Sequence, residues 1–311
     1  MFCKSMYTLF IEQPIRKSGM GELLMAEKIN LSNSELRRLQ LLELDILIEF
    51  DRVCRKHGII YTLSSGTMLG AIRHKGFIPW DDDADISMLR EEYNKFAAVA
   101  DELNPKICYF QDHNTDPEYR WGYAKLRRTG TSYVRIGQEH LKCKTGIFVD
   151  IFPLDDVPNS AVGRILQRER CFVTRKIMYS EVGRLSSSES RFMRGIYSLL
   201  SKIPVNYAFY RLEKYSKKSR NDTPNVVRTL MYDALGKKAK RLKGDMRFGR
   251  PKRWFLDVAE YEFEGCKFFG PKDYDEYLTF KYGDYMRMPP ENKRQQNSPV
   301  SFIDFGNTEG R

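Results

Sequence analysis

The sequence lacks the features that define membrane-spanning and exported proteins. No apolar run approaches the roughly 20 residues that a membrane-spanning helix needs. The first positions carry Lys4, Arg16 and Lys17 without a continuous apolar core behind them, so we expect no signal peptide. Residues 1–30 show no clear periodicity and are expected to be a loosely ordered lead-in, with Met20 or Met25 as alternative start positions.

Cysteine and histidine are also sparse. The 6 cysteines are scattered without a C-x-x-C pair, and only 4 histidines are available to share a metal ion with them. This spacing argues against a zinc cluster. Unpaired, reduced thiols in a cytoplasmic protein fit the pattern best.

What is present is the composition of a folded, basic protein. The 311 residues are 41% hydrophobic and 13% aromatic, which is enough to form a sizeable core. The formal charge of +11 predicts a polyanionic partner, such as a phosphorylated small molecule, an anionic membrane face or nucleic acid. Because no nucleic-acid-binding motif accompanies the charge, we expect no nucleic-acid role.

The most informative stretch runs from Ser65 to Ile86 and ends in a cluster of aspartates. Like charges crowded beside bulky apolar groups such as Trp80 are costly unless a cation or a proton neutralises them. We therefore interpret the cluster as a functional site. Its aspartates occupy four of the five positions from 81 to 85, namely Asp81, Asp82, Asp83 and Asp85.

The chain ahead of the aspartates predicts a helix, a strand and a second helix. Ser32 and Glu35 have the spacing of a capping box, and apolar residues follow at helical spacing. Residues 60–63 predict a short strand that leads through a small-residue turn into the next helix. Such a turn exposes backbone N–H groups, so Gly66 and Thr67 are candidates to bind phosphate.

Two predicted strands carry the candidate metal ligands. Residues 83–88 alternate as a strand does, so Asp83 and Asp85 should project from one face with Cα atoms roughly 6.5–7 Å apart. Asp150 interrupts the apolar run 146–155, which otherwise predicts a central strand. A lone carboxylate there is destabilising unless something pairs with it. We expect Asp150 to be a third ligand on a neighbouring strand rather than the cap of a turn.

Beyond position 155 the pattern becomes helical and basic. Basic residues here most often form a solvated face, and a phosphate or membrane surface is the alternative. The tail from Glu291 is polar, and we expect it to be frayed. The other predicted elements are strands at 119–127 and 131–136, helices at 90–103, 161–181, 189–203, 206–219, 225–235 and 272–282, and a hairpin of 254–258 with 261–264.

These parts together indicate metal-dependent chemistry on phosphate. Divalent cations held by carboxylates bridge phosphate oxygens, neutralise their charge and align an attacking oxygen with its leaving group. Arg73, Lys75 and Lys125 are candidates to offset the negative charge that develops. The combination is typical of nucleotidyltransferase-like enzymes.

A calcium loop is the alternative interpretation of the same aspartates. Asp81, Asp83 and Asp85 occupy positions 1, 3 and 5 of such a loop, and Glu92 falls at position 12. Position 6, however, is Ile86, where the turn requires glycine. We regard this match as coincidental.

Three segments of the sequence resemble the LicD family of phosphotransferases. The first lies within 60–96 and includes SSGTMLGAIRHKGFIPWDDDADI, the second is GIFVDIFPLD at 146–155, and the third is YDEYLTFKYGDYMRMPP at 274–290. The likeness spans most of residues 36–290, and the first segment is highly specific. The resemblance implies a nucleotidyltransferase-like fold and transfer of a phosphorylated alcohol, often phosphocholine from CDP-choline, to a cell-surface glycan.

By position, the resemblance makes Asp83 and Asp85 the D-x-D metal ligands and Asp150 the third acidic residue. Asp81 and Asp82 would be supporting carboxylates. The implied cofactor is Mg²⁺ or Mn²⁺, and the implied partners are a CDP-activated alcohol donor and a glycan or lipid-linked glycan acceptor. A nucleotidylyltransferase that moves NMP itself, or a non-enzymatic calcium-binding protein, are the alternatives.

We therefore predict an α/β (α+β) protein with a nucleotidyltransferase-like mixed sheet flanked by helices. The protein should be cytoplasmic, with possible peripheral contact at the inner face of the membrane through its basic helices. Its parts would be the lead-in 1–30, the catalytic core 31–155, a basic helical insertion 156–245, a C-terminal segment 246–290 that packs on the core, and the polar tail 291–311.

Overall fold

The architecture was obtained from a computed structural model, which describes residues 28–186, 189–218, 225–231, 244–296 and 299–307. Helices and strands alternate along much of the chain. The helices are α1 (Asn33–Lys56), α2 (Ser65–His74), α3 (Arg90–Ala98), α4 (Ala161–Gly183), α5 (Arg191–Leu200), α6 (Val205–Lys218) and α7 (Tyr274–Tyr282).

The central sheet of the described residues is mixed. Its main path runs in the order β1-β2-β6-β4-β3, where β2 and β6 are parallel and the other pairs are antiparallel. The strands on this path are β1 (Thr62–Leu63), β2 (Ala84–Leu89), β3 (Cys108–Gln111), β4 (Ala124–Arg128) and β6 (Phe148–Asp156). The predicted fold class, a mixed sheet flanked by helices, is confirmed.

Smaller strand pairs surround this sheet. The end of β6 pairs with β7, which pairs in turn with β8. Within the described residues, two antiparallel pairs, β5 with β11 and β9 with β10, form separate two-stranded sheets. These strands are β5 (Ser132–Arg135), β7 (Val226–Arg228), β8 (Arg250–Pro251), β9 (Val258–Phe263), β10 (Cys266–Pro271) and β11 (Val300–Asp304).

Helix α1 forms where its cap and its apolar face predict it. The Ser32 amide donates to Glu35 Oε2 at 2.8 Å, and the Glu35 amide donates to Ser32 Oγ at 3.3 Å, which completes the capping box. The buried face of α1 packs against β4 and β6. This helix therefore lies over the strands that carry Lys125 and Asp150.

The basic helices have a small core of their own. Buried side chains of α4 and α6, including Cys171, Met178 and Phe209, pack with Leu230 and Met231. Gly183 of α4 admits the ring of Tyr197 from α5, because a Cβ at Gly183 would lie 2.6 Å from that ring. The predicted helical character of 161–218 is thus confirmed within the described residues.

Two expectations about the C-terminal half are wrong. The predicted helix 225–235 begins instead with the strand Val226–Arg228, because paired β-branched valines fit the open end of β6; residues 232–235 lie outside the described ranges. The tail is not frayed throughout. Val300–Asp304 pairs with β5, and the amide of Ile29 donates to the Val300 carbonyl at 2.8 Å.

Strand boundaries were also misplaced in two regions. The hairpin is formed by 258–263 and 266–271, because Glu264 (φ 55°) and Gly265 (φ 74°) supply the two positive φ values of a type I′ turn. Trp254 instead lies in a short 3₁₀ turn and packs against Tyr277. In the predicted strand 119–127, pairing begins only at Ala124.

Two general properties of the chain are visible in the same residues. Every described cysteine is a free thiol, as the scattered spacing predicted. None of the helices described is both long enough and apolar enough to cross a bilayer.

We predict that Gly70 of α2 is needed for the loop that leads to the aspartates. A Cβ at this position would lie 2.4 Å from the Gly76 carbonyl oxygen, which is backbone and cannot move aside. Gly70→Ala should lower the free energy of unfolding by about 1–3 kcal/mol, measured by urea unfolding. Gly195→Ala is the control, because a Cβ at this position of α5 meets nothing within 4 Å. Equal effects of the two substitutions would contradict the prediction.

Candidate active site

The acidic loop is the segment of residues 75–83 that connects α2 to β2, and neighbouring elements hold it in place. Lys75 ends α2 in the left-handed conformation (φ 59°). The Asp81 amide then donates to the Ile78 carbonyl at 2.9 Å, closing a turn. Gln40 of α1 donates through Nε2 to the Asp81 carbonyl at 2.9 Å. The backbone of the loop is therefore held by hydrogen bonds to the loop itself and to α1.

The carboxylates of Asp81, Asp82 and Asp83 converge. One oxygen from each lies within 4.8 Å of the others. Asp82 is buried, whereas Asp81, Asp83 and Asp85 are each partly exposed, an alternation that matches the predicted extended backbone. Carboxylate oxygens gathered in this way are the ligand type that Mg²⁺, Mn²⁺ and Ca²⁺ prefer.

Asp85 and Asp150 face one another across the parallel pair of strands. They are direct register partners on β2 and β6, and Asp150 is 2% exposed. Lys125 of β4 is the partner of Asp150 on its other side, and the two side chains form a buried ion pair. The structure thus places Asp150 on a neighbouring strand beside the D-x-D pair, and its role as a ligand stays a prediction.

Gly66 and Thr67 support these carboxylates directly. A Cβ at Gly66 would lie 2.5 Å from Asp81 Oδ2, so only glycine lets this carboxylate approach α2 so closely. Thr67 Oγ1 accepts a hydrogen bond from the Asp85 amide at 2.8 Å. Ser65, just before them, has a positive φ of 53°, a strained value for a residue with a side chain. Phosphate contact by Gly66 and Thr67 stays a prediction.

Arg73 and Lys75 lie at the other end of α2. By the rise of an α-helix, Lys75 is about 13 Å from Gly66. Arg73 donates to the Tyr285 carbonyl at 3.0 Å, and Lys75 is exposed at the helix C-cap. The structure therefore does not bring these two cations to the start of α2, where Lys125 and the aspartates gather, and their role in substrate binding stays a prediction.

The sequence reasoning missed a lysine and a tyrosine of α7. Lys281 contacts Ser65 Oγ through a short hydrogen bond, and Tyr277 OH accepts from the Ser65 amide at 2.9 Å. Burial opposes ionisation of Tyr277, but the charges of Lys281 and Arg250 bring its pKa below the usual value. The available signal was the third LicD-like segment, 274–290, which contains both residues.

A glutamate of α1 was missed as well. Glu43 is 1% exposed, and its carboxylate interacts electrostatically with Asp83, Asp82, Asp81 and Asp150. The signal lay in the helical periodicity, because Glu43 falls seven residues after Leu36 on the face that packs inward. A glutamate on that face is costly unless the fold uses it.

Burial, and after it the repulsion between like charges, opposes ionisation of the carboxylates at this site. Burial and the neighbouring carboxylates raise the pKa of Asp81 to about 7 and that of Asp85 to about 6. Burial, followed by the charge of Asp85, raises the pKa of Asp83 well above its usual value. Burial also lowers the pKa of Lys125 to about 7, against the opposing charge of Asp150. A hard divalent cation would offset this cost and would take carboxylate oxygens as ligands, and the binding of such a cation stays a prediction.

The calcium-loop alternative does not match the observed geometry. Residues 84–89 form a strand of the central sheet, where a calcium loop would turn. Glu92, the supposed final ligand, lies in α3 and accepts hydrogen bonds from the Ile60 amide and from Lys95. The match of positions is coincidental.

A mixed sheet with a D-x-D strand beside a third carboxylate defines a nucleotidyltransferase-like protein. The family described as LicD/FKTN/FKRP, nucleotidyltransferase domain, matches residues 58–181. Along most of its length the chain is similar to the lipopolysaccharide cholinephosphotransferase LicD of Haemophilus influenzae, with 32% identity over 265 residues, 84% of this chain and 94% of that protein. The chain belongs to the LicD family, as the three segments predicted.

Two uncharacterised rickettsial proteins match shorter stretches. One from Rickettsia typhi is 30% identical over 92 residues, which is 28% of this chain and 29% of that protein. One from Rickettsia prowazekii is 54% identical over 37 residues, which is 12% of this chain and 14% of that protein. They carry no information on activity.

We predict that Asp81 destabilises the metal-free protein as the pH rises. Its folded-state pKa of about 7 exceeds the ordinary value of 3.8, so the folded protein must bear a disfavoured negative charge once the pH passes through that interval. The melting temperature of Asp81→Asn minus that of wild type should be near zero at about pH 4 and rise to a plateau above about pH 7, measured with a chelator present. A difference that stays constant over this range would contradict the prediction.

Proposed function

We propose that this protein is a phosphotransferase that moves a phosphoryl-alcohol unit, phosphocholine first among the candidates, from a CDP-activated donor to a hydroxyl of a cell-surface glycan or its precursor. The support from comparison is the similarity to the Haemophilus influenzae lipopolysaccharide cholinephosphotransferase over nearly all of that protein. The single observation that carries the proposal is that the converging carboxylates of the acidic loop lie at the start of α2, next to the carboxylates that β2 and β6 place side by side.

Each carboxylate has a proposed role in this reaction. Asp83 and Asp85 hold Mg²⁺ or Mn²⁺, Asp81 and Asp82 support them, and Asp150 either adds a ligand or takes the proton of the acceptor hydroxyl. The chemistry that such a cation supplies is neutralisation and alignment of the phosphates. The position of Asp150 supports either role, because it is the register partner of Asp85, one of the two proposed metal ligands.

The start of α2 is the proposed position of the donor phosphates. Helix N-termini favour anions because their first N–H groups lack partners within the helix. Lys281 adds a positive charge at Ser65, close enough to Asp83 and Asp85 to interact with both electrostatically. Lys125 lies on the opposite side, at Asp150. Phosphates placed between these lysines would be neutralised from both sides.

Calorimetric titration with CDP-choline, CDP-glycerol and CTP, each with and without Mg²⁺, tests the proposed donor. Metal-dependent binding of one CDP-alcohol is the expected result, and it would identify the alcohol before the acceptor is known. Preference for CTP would instead favour a nucleotidylyltransferase that moves NMP. Absence of nucleotide binding under all conditions would overturn the proposal.

Asp83→Asn and Asp85→Asn should each reduce transfer at least about 10²-fold, because each removes a metal ligand at the reacting phosphate. Neither should lower the melting temperature of the metal-free protein, since each removes a carboxylate whose ionisation is opposed by desolvation and by neighbouring like charges. Transfer is measured as release of CMP from the CDP-alcohol. Glu92→Gln is the control, because Glu92 carries the same charge on α3 and bonds to Ile60 and Lys95. Wild-type turnover in Asp83→Asn or Asp85→Asn would contradict these roles.

The basic helices carry a surface suited to the inner face of a membrane. Exposed apolar residues of α4 form two groups, at 162–166 and at 172–173, about two helical turns apart, and Arg168 and Arg175 lie on the same helix. A partly charged, partly apolar helix of this kind binds anionic headgroups. The exposed apolar residues of α4 are Val162, Ile165, Leu166, Phe172 and Val173.

We expect the protein to sediment with vesicles that contain anionic lipid and not with zwitterionic vesicles. Phe172→Glu combined with Val173→Glu should weaken sedimentation, because both changes place negative charge on the apolar face. Phe172→Ser combined with Val173→Ser is the control, because it removes the apolar area without adding negative charge. Equal sedimentation with both kinds of vesicle would remove the membrane contact from the proposal.

A further inference from the structure

Glu43 stands out among the buried ionisable groups of the described residues. Its side chain is 1% exposed, and its Oε2 accepts no hydrogen bond from any described residue. Buried carboxylates of the same helix have partners: Glu49, for example, bonds to Arg52 and to the Asn104 amide. A buried carboxylate oxygen without a donor is expensive, so its retention calls for a ligand.

The surroundings of Glu43 are acidic. Burial is the first cause that opposes ionisation of the Glu43 carboxylate. The next causes are the negative charges of Asp83, Asp82, Asp81 and Asp150. Asp83 has the largest effect of these four carboxylates. Glu43 therefore lies beside the group formed by the acidic loop, to which Asp85 is also linked through the effect of its charge on Asp83.

The geometry of α1 directs Glu43 to this loop. Gln40, one helical turn earlier on the same face, donates to the Ile78 and Asp81 carbonyls at 3.3 and 2.9 Å. One turn earlier again, Arg37 forms an ion pair with Glu264, which accepts from the Phe77 amide at 3.1 Å. Successive turns of α1 thus hold the loop, and Glu43 is the next residue in this series.

We propose that Glu43 is a further ligand of the divalent cation assigned above to Asp83 and Asp85, so that α1 adds a carboxylate to the metal site from the side of Asp83. The ligand class is a hard divalent cation, because every donor is a carboxylate oxygen. This assignment rests on the metal dependence stated under the proposed function. It goes beyond that proposal by adding a ligand from an element outside residues 58–181, the range that the family match covers.

The test is direct titration of the purified full-length protein with Mn²⁺. Binding is measured by calorimetry and by the loss of the electron paramagnetic resonance signal of free Mn²⁺. Glu43→Gln keeps the shape of the side chain and removes its charge. We expect the Kd for Mn²⁺ to rise at least about tenfold to a hundredfold, because losing a ligand should cost no less than losing an outer-shell partner, to which that range applies. Glu43→Asp, which retains the charge on a shorter side chain, should recover part of the affinity.

Glu49→Gln is the matched control, because it makes the same chemical change on the same buried helix beside Arg52. Its Kd for Mn²⁺ should equal that of wild type even though it loses an ion pair. Melting temperatures in chelator report folding separately, and Glu43→Gln should melt no lower than wild type because repulsion is relieved.

Unchanged Mn²⁺ affinity in Glu43→Gln, with measurable binding by wild type, would overturn the assignment of Glu43 and leave the proposed function standing. Absence of Mn²⁺ and Mg²⁺ binding by wild type would overturn both. Loss of affinity in Glu49→Gln equal to that in Glu43→Gln would show a general effect of helix charge, which also overturns the assignment.

Discussion

The cost of holding several carboxylates together with little access to water is the constraint on which the rest of this structure depends. Asp81, Asp83 and Asp85 all have raised pKa values, and burial is the largest cause for each. A fold keeps such a group only if the surrounding elements prevent the loop from swinging into solvent. Here α1 holds the backbone of the loop through Gln40, and Thr67 holds the backbone of Asp85.

The cations of the site are arranged to limit this cost without cancelling it. Lys125 is paired with Asp150 and lies 3.3 Å from the centre of the Phe148 ring. Lys281 approaches from α7 and contacts Ser65. Both lysines have lowered pKa values, chiefly because burial disfavours their charge. The site is thus held in an electrostatic balance that a divalent cation and phosphates would complete.

Features that depend on residues close together in the sequence could be predicted, and features that depend on distant residues could not. The capping box of α1, the strand after the aspartates and the placement of Asp150 on a neighbouring strand follow from local pattern, and the structure agrees. The hairpin was predicted at the wrong residues because its turn depends on the positive φ of Glu264, and glutamate rarely adopts a positive φ. The strand at 300–304 was missed because its pairing partner lies far away in sequence.

The sequence by itself determined the chemical identity of the site: the aspartates lie beside bulky apolar residues, and the segments around them are those of the LicD family. Only the tertiary structure decided which other groups meet them. Glu43 lies 38 positions before Asp81 in the printed sequence, and Lys281 lies 200 positions after it. Local pattern carries no information about contacts at such separations, because helix packing and strand order, not neighbouring residues, bring them together.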